Sequence, residues 1–207
     1  AEGVGWRVVV GHGNVGYGRG NNCALLLARS QFHLILNPDV TLHPESLSAG
    51  LRYLAQQPGC VMVTPQAVDA HGEPTSLIKR EPTLAALLLR GFAPAALRRA
   101  CRGILDHYEY RDLDRQAAAR GVAIASGAFM LCRNDALQAI GGFDPRYFLY
   151  FEDFDLSHRI GRLGRIDYVP AVRIVHEGGG AARKGVRHVW WFARSAVRYF
   201  ALRLVRG

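Results

Sequence analysis

A cluster of carboxylic acids, Glu152-Asp153-Phe154-Asp155, offers a candidate general base. It directly follows the bulky and mostly apolar run YFLYF at 147–151. Apolar neighbours remove water from a carboxylate and nearby like charges oppose its ionisation, so both raise its proton affinity, as a general base requires. Acids are also favoured at the N-terminus of a helix by its dipole, which is a purely structural interpretation. The sequence leaves both interpretations open.

A second group of polar residues could contact a cation or a phosphate. The apolar segment FHLIL is followed by Asn37-Pro38-Asp39, and ligands of α/β sheets bind where strands end. The N-x-D spacing can place two oxygen ligands on one side of a cation, although an ordinary turn explains the same residues. His176 ends another apolar segment and precedes a glycine-rich stretch with Arg183 and Lys184, so it is a candidate for a metal or phosphate contact.

The loop GHGNVG at 11–16 fits the G-x-G-x-x-G pattern of dinucleotide-binding proteins. The segment VVV before it, the helical pattern after it and Asp39 downstream agree with an NAD-binding unit. However, the glycine-rich stretch continues to Gly20 before the predicted helix CALLLARS, which is too long for the tight turn of such a loop. An NAD-dependent oxidoreductase is therefore the less favoured interpretation.

These residues need a sheet to bring them together. Apolar segments at WRVVV, FHLIL and CVMVT alternate with helical patterns, which predicts an α/β fold with a mostly parallel sheet covered by helices. Further strands are predicted at VAIASGAFMLC and DYVPAVRIVH, and residues 84–120 are helical without recognisable chemistry. A length of 207 residues with 49% hydrophobic content fits one domain.

Composition limits the partners and the compartment. The net charge of +9 comes mainly from arginine, and a basic surface favours phosphate groups, nucleic acid or an anionic membrane. The four cysteines stand singly, without a zinc-binding spacing, and we expect them to be reduced in a cytosolic protein. No apolar run approaches the roughly 20 residues that span a bilayer.

Taken in order, the motifs resemble the inverting family-2 glycosyltransferases of the GT-A fold, especially the rhamnosyltransferase-like branch. The matching segments are NVGYGRGNN at 14–22, LNPD at 36–39, SGAFMLCR at 126–133 and GGFDPRYFLYFEDFDL at 141–156. His176 falls where the family places a late histidine. The resemblance implies a GT-A-like, Rossmann-related mixed sheet, mostly parallel and flanked by helices.

The resemblance also implies roles for individual residues. Asp153 matches the catalytic base, with Glu152 assisting it, and Asp39 and His176 would hold Mn²⁺ or Mg²⁺. Asn37 stands where many relatives have the first aspartate of D-x-D. The residues expected to contact the donor are Asn14, Gly16, Asn22, Asn37, Asp39, Arg183 and Lys184. The donor would be a nucleoside diphosphate sugar, with dTDP-rhamnose favoured, and the acceptor a saccharide or lipid-linked precursor of a bacterial surface polysaccharide.

One departure from the family concerns the beginning of the sequence. In relatives, a strand, a helix and a second strand with the nucleobase-binding and ribose-binding acids precede the point at which this sequence starts. We therefore expect an N-terminally truncated GT-A domain. A catalytically inactive remnant that serves as a binding or scaffold module is the alternative interpretation.

The C-terminal segment 186–207 is predicted to be a basic amphipathic helix, distinct from a domain at 1–185. At 100° per residue one face carries Val189, Ala193, Ala196, Phe200 and Leu204, and the opposite face carries Arg187, Arg194 and Arg198. Either the apolar face packs on the domain, or the helix lies in the headgroup region of an anionic membrane. We expect a cytoplasmic protein, peripheral on the inner face of the cytoplasmic membrane in the second case, and no nucleic-acid partner because no recognisable module is present.

Overall fold

The computed structural model describes residues 5–177 and 185–206. The strands are β1 (Phe32–Leu36), β2 (Val40–Leu42), β3 (Cys60–Val68), β4 (Pro74–Thr75), β5 (Ile78–Lys79), β6 (Ile124–Ala125), β7 (Phe129–Arg133) and β8 (Arg165–His176). The helices are α1 (Tyr17–Leu25), α2 (Ser46–Gln56), α3 (Leu84–Phe92), α4 (Ala95–Ala100), α5 (Arg102–Tyr108), α6 (Asn134–Ala139), α7 (Glu152–Ile160) and α8 (Val186–Arg206). Helices and strands are interspersed, as the sequence predicted, although α3, α4 and α5 follow one another without a strand between them.

The main sheet is mixed. Its order is β1-β7-β3-β8-β2, with β4 added to β3, while β5 and β6 form a separate two-stranded sheet. Strands β1, β3 and β8 run in one direction, as the alternation of strands and helices suggested. The expected predominance of parallel pairs is wrong, because β3–β8 is the parallel pair among the five pairings of the described main sheet. Strand β7 inserts antiparallel between β1 and β3, and β2 turns back after residues 37–39 to pair antiparallel with β8.

The predicted strand at WRVVV does not form. Residues 5–10 pair with no strand in the described part of the chain, and Trp6 and Val10 are 85% and 79% exposed. An apolar sequence makes a strand only where a neighbouring backbone accepts its hydrogen bonds, and nothing described occupies the outer edge of β1. The segment VAIASGAFMLC, predicted as one strand, is divided into β6 and β7 by residues 126–128.

Helix α1 begins earlier than the sequence indicated, at Tyr17 directly after Gly16. The loop is therefore as short as a dinucleotide-binding turn, and the argument from its length was wrong. The NAD interpretation lacks support for another reason, since no strand precedes the loop among residues 5–16.

Gly16 has a φ of 90°, and a Cβ at this position would clash with the backbone oxygen of Phe148. This close approach explains why a glycine ends the loop.

The sheet is covered on both faces, which follows from the alternation of side chains along its strands. Met130 and Cys132 of β7 belong to one core with α1, α6 and α7, while Phe129 and Leu131 belong to the opposite core with α2. Cys60 and Cys132 are buried, Cys23 and Cys101 are half-buried, and all four thiols are free. None of the described helices is both long and apolar enough to cross a membrane.

Helix α8 does not stand apart from the rest of the chain. Tyr199 is 2% exposed and shares an apolar cluster with α3, α5 and residues 147 and 151. The inward side also includes Phe192 and Ser195, whose hydroxyl donates to the backbone oxygen of Leu149 at 2.9 Å. This corrects the predicted packing face, because Leu204, which was assigned to that face, is 87% exposed. Phe192 and Tyr199, which the helical pattern placed on neither face, make the contact together with Ala196 and Phe200 of the predicted face.

Candidate active site

The backbone of Gly127 connects three parts of the site. Gly127 lies between β6 and β7, and its N–H donates to Oδ2 of Asp153 at 3.1 Å. Its carbonyl oxygen accepts a hydrogen bond from the Tyr17 hydroxyl at 2.6 Å. The next residue, Ala128, accepts a hydrogen bond from the N–H of Asn37 at 3.0 Å. One short segment therefore links the glycine-rich loop, the base helix α7 and the turn after β1.

Two aromatic residues set the start of α7. Tyr150 and Phe151 have φ values of 70° and 64°, a left-handed conformation that is uncommon for residues with side chains. Each such residue costs on the order of 1–3 kcal/mol and persists only when its surroundings hold it. Phe151 is buried against Phe154, Phe192 and Tyr199, with ring centroids 5.1–5.3 Å away. Helix α8 thus helps to hold the turn that presents Glu152 and Asp153.

Of the two acids at the start of α7, Glu152 is buried and Asp153 is half-buried. Glu152 is 6% exposed, and its Oε2 has no hydrogen-bond partner among the described residues. Burial, followed by the charge of Asp153, raises the pKa of Glu152 to about 8. Burial also raises the pKa of Asp153, although the N–H groups of Gly127 and Phe154 bind its carboxylate and act in the opposite direction. The sequence predicted this desolvation from the aromatic run, and the structure agrees.

The raised pKa of Glu152 makes stability depend on pH. Its ordinary value is 4.5 and its folded value is about 8, so the folded state holds this proton more tightly than the unfolded chain. Stability is therefore lost progressively as pH rises from 4.5 through about 8. We expect Glu152→Gln to remove this loss, so that its melting temperature exceeds the wild-type value by more at pH 8 than at pH 4.5. Glu177→Gln changes an exposed acid and should leave the melting temperature unchanged at both pH values. An equal pH dependence of the melting temperature in Glu152→Gln and wild type would contradict the raised pKa of Glu152.

Asp39 and His176 come together as predicted. Val40 pairs with His176 across β2 and β8, and Oδ1 of Asp39 lies 3.7 Å from Nε2 of His176. Asp39 is exposed and can reach a ligand, whereas Asn37 is half-buried, with an Oδ1 that lacks a hydrogen-bond partner within the described ranges. No group of three His, Cys, Asp or Glu residues suitable for a metal occurs among residues 5–177 and 185–206. A cation here would need further oxygen ligands from its substrate or from water.

The predicted donor residues of the glycine-rich loop divide into two groups. Asn14 is exposed and its Oδ1 accepts from the N–H of Gly16 at 3.3 Å, so the loop remains open to a ligand. Asn22 instead binds the backbone of Phe143, donating to its oxygen at 2.7 Å and accepting from its N–H at 2.9 Å. These two bonds give Asn22 a structural role, and the geometry does not support the predicted donor contact. Arg183 and Lys184 lie outside the described residues.

Sequence reasoning missed Tyr17 and Lys79. Burial, and then the charges of Asp153, Glu152 and Asp39, raise the pKa of the Tyr17 phenol. The three carboxylates are therefore within electrostatic range of one hydroxyl. Lys79 is 8% exposed, and burial together with the charge of Arg90 lowers its pKa to about 7, against the opposing charges of Glu109 and Asp153. Tyr17 stands inside a recognised motif and could have been noticed, but no pattern along the chain marks Lys79.

We expect Tyr17→Phe to lower kcat with little change in the KM for the donor. The change removes only the hydroxyl that holds Gly127, the residue whose N–H orients Asp153. A hydrogen bond of about 1 kcal/mol corresponds to a decrease of about fivefold. Tyr168→Phe is a matched control, because its hydroxyl donates to the backbone oxygen of Arg115 at 2.9 Å, away from the site. Equal loss of kcat in both variants would indicate a general effect on stability.

Two surface cavities lie elsewhere on the chain. One, of about 780 Å³, lies beside the far part of α7 and the turn before β8, and one of about 990 Å³ lies beside β2 and β8. Neither is lined by Asp39, Glu152 or Asp153. We therefore identify the candidate active site around the buried Gly127 from its chemistry, and not from either of these cavities.

Comparisons with known proteins bear on the family and the fold of this chain. The model of the glycosyltransferase-like family 2 matches residues 5–200. The N-acetylglucosaminyl-diphospho-decaprenol L-rhamnosyltransferase of Mycobacterium tuberculosis is 32% identical over 144 residues, which cover 69% of this chain and 46% of that enzyme. The rhamnosyltransferase WbbL of Escherichia coli is 37% identical over 78 residues, or 37% of this chain and 30% of its own length. The chain thus spans less than half the length of these relatives.

Two solved structures share the fold. The mannosyltransferase PcManGT from Pyrobaculum calidifontis, in complex with GDP-Man and Mn²⁺, has a TM-score of 0.54 at 19% identity, covering 93% of this chain and 44% of that one. GalNAc-T7 with UDP, GalNAc and Mn²⁺ has a TM-score of 0.52 at 13% identity, covering 79% and 30%. The mixed sheet with flanking helices is thus a GT-A-type fold. Because the family model matches residues 5–200, the chain belongs to the glycosyltransferase-like family 2.

Proposed function

We propose that this chain forms the catalytic part of an enzyme that transfers a sugar from a nucleoside diphosphate sugar by inverting single displacement. The observation that carries this proposal is the arrangement around Gly127. Its N–H orients the carboxylate of Asp153, its carbonyl is held by Tyr17, and the adjoining Ala128 accepts the N–H of Asn37, two residues before Asp39. A candidate base and a candidate phosphate-side carboxylate are thereby positioned around one point.

Asp153 is proposed to accept the proton of the acceptor hydroxyl as that oxygen attacks the anomeric carbon. Each of its carboxylate oxygens receives one backbone N–H, from Gly127 at 3.1 Å and from Phe154 at 3.0 Å. Each oxygen retains a further lone pair for the acceptor. Burial raises the proton affinity of Asp153, which suits a general base, and the charge of the neighbouring Glu152 would act in the same direction when ionised.

The donor set before the start of β2 and at the end of β8 fits a divalent metal. Asp39 supplies an exposed carboxylate, His176 supplies a nitrogen 3.7 Å from it, and Asn37 has an oxygen with no partner among the residues that the structure describes. Mn²⁺ accepts such mixed ligands, and Mg²⁺ prefers oxygen and retains several waters. We propose that Asp39 and His176 hold one of these ions, which would neutralise the charge of the departing diphosphate. The Mn²⁺ in both structural neighbours supports this proposal.

We propose dTDP-rhamnose as the donor, because both sequence relatives are named as rhamnosyltransferases. The acceptor would be a saccharide or a lipid-linked precursor of a surface polysaccharide. The diphospho-decaprenol in the name of the mycobacterial relative supports the lipid-linked form. The reaction would take place in the cytoplasm, in keeping with four free thiols.

A donor panel tests this proposal. Calorimetric titration of the full-length enzyme with dTDP, UDP and GDP should show binding that requires Mn²⁺ or Mg²⁺ and is tightest for dTDP. Transfer from dTDP-rhamnose should then exceed transfer from UDP-GlcNAc and GDP-mannose. Absence of metal-dependent binding to any of the three would instead indicate an inactive binding module. Preference for another nucleotide would reject dTDP-rhamnose while leaving the transferase assignment in place.

A further inference from the structure

Helix α8 carries a second apolar face, which points away from the chain. Its members follow helical spacing at i, i+3 and i+4 along the whole helix. They are Val186, Val189, Trp190, Ala193, Val197, Ala201 and Leu204, all of them exposed. Val186, Val197 and Leu204 are 86%, 72% and 87% exposed. We call these seven residues the outer stripe; among the described residues, no other element covers it.

Arginines border the outer stripe. At 100° per residue, Arg187, Arg194 and Arg198 line one side of it, and Arg203 lies on the other. The guanidinium of Arg194 lies 5.3 Å from the ring centre of Trp190, and that of Arg187 lies 5.3 Å from the ring of Trp191. Arg203 pairs with Glu81 at 2.8 Å, whereas α8 itself contains no acid beside Arg187, Arg194 and Arg198. The border therefore presents cations and indole rings beside aliphatic side chains.

We propose that the outer stripe of α8 seats this chain on an anionic lipid bilayer. The aliphatic residues would enter the boundary between headgroups and acyl chains. The arginines would then meet lipid phosphates, and Trp190 would lie at the headgroup level, where indole rings are favoured. A basic border matches a negatively charged surface, and the net charge of +9 adds long-range attraction. The stripe keeps Val189, Ala193 and Leu204 of the predicted apolar face, and it lies away from the aromatic face that packs on the domain.

Membrane seating would place the candidate active site close to the bilayer. The inner face of α8 packs on Phe151, which begins the helix that carries Glu152 and Asp153. A lipid-linked acceptor could then reach Asp153 without leaving the membrane. This consequence for the acceptor rests on the proposed function, whereas lipid binding by the outer stripe does not.

Vesicle sedimentation of the 207-residue chain tests the proposal. We expect binding to vesicles of phosphatidylcholine with one third phosphatidylglycerol, weaker binding to phosphatidylcholine alone, and release as salt rises. The variant Val197→Glu/Leu204→Glu should bind at least about tenfold less, because it places charge in the apolar boundary. A matched control, Val8→Glu/Leu26→Glu, changes the same residue types and net charge at positions 66% and 76% exposed elsewhere, and should lose much less.

Two further measurements distinguish seating on lipid from self-association of the chain. Arg187→Ala/Arg194→Ala should lose about fivefold per arginine on anionic vesicles. Trp190 fluorescence should be quenched by vesicles with brominated acyl chains, and Trp190→Ala should lose that quenching. The proposal would be overturned if Val197→Glu/Leu204→Glu and Val8→Glu/Leu26→Glu bound anionic vesicles equally well. It would also be overturned if the wild-type chain bound neutral and anionic vesicles equally. So would a wild-type dimer that Val197→Glu/Leu204→Glu converts to monomers, since the stripe would then join two copies of the chain.

Discussion

Replacing Asp153 with asparagine is expected to reduce sugar transfer about a hundredfold or more, with donor binding nearly unchanged. The amide cannot accept a proton at neutral pH, and loss of a general base commonly has an effect of this size. Its oxygen can still accept one of the two N–H bonds, from Gly127 or Phe154, that hold the carboxylate. The base acts on the acceptor and not on the diphosphate. Transfer rates and calorimetric titration of the nucleoside diphosphate, both with the full-length enzyme, measure the two effects.

Asp155→Asn provides a control on the same helix. Asp155 is buried and binds Nε of Arg159 at 2.6 Å, so its loss should lower the melting temperature. The kcat of the folded fraction should nevertheless remain near wild type, because this acid is assigned no step in the reaction. Substantial turnover in Asp153→Asn would move the base to another acid of the cluster, with Glu152 or Asp155 next in line.

The elements that position the base were predictable where sequence pattern and packing agree. The segment FHLIL forms β1, and the acids after the aromatic run begin α7, because buried strands and helix N-termini leave local signals. The adjacency of Asp39 and His176 followed from the family resemblance, and β2–β8 pairing explains it physically. The assignment of Asp153 as the base still rests on that resemblance together with its desolvated environment.

Other features depend on contacts that no local pattern records. The left-handed residues Tyr150 and Phe151 are aromatic and give no sequence signal for such a turn; they are held by packing against α8. The role of Tyr17 depends on the carbonyl of Gly127, 110 positions further along the chain. The VVV segment has the sequence of a strand, but a strand forms only beside a partner strand. No partner strand is described beside this segment. The inner face of α8 was misjudged because both of its faces carry apolar residues.

Removing Asp39 should have the second large effect, on metal-dependent donor binding. We expect Asp39→Ala to weaken Mn²⁺-dependent binding of the nucleoside diphosphate by on the order of a hundredfold. Loss of groups that only support a metal ligand commonly costs about 10–100-fold in affinity, and a direct ligand should cost at least as much. His176→Ala should act in the same direction, while Asn37→Ala should have a smaller effect because a neutral amide contributes less charge. Titration of each variant with and without Mn²⁺ measures these differences.

Glu177→Ala distinguishes coordination from general electrostatics. Glu177 is exposed, adjoins His176 and donates its N–H to the backbone oxygen of Asp39, so its removal changes the local charge by the same amount as Asp39→Ala. If both variants weaken donor binding equally, the carboxylate of Asp39 acts only through its charge. If a chelator leaves wild-type transfer unchanged, the metal hypothesis fails, and cationic side chains must neutralise the diphosphate instead. A large loss in Asp39→Ala and His176→Ala, with little loss in Glu177→Ala, is the result that coordination requires.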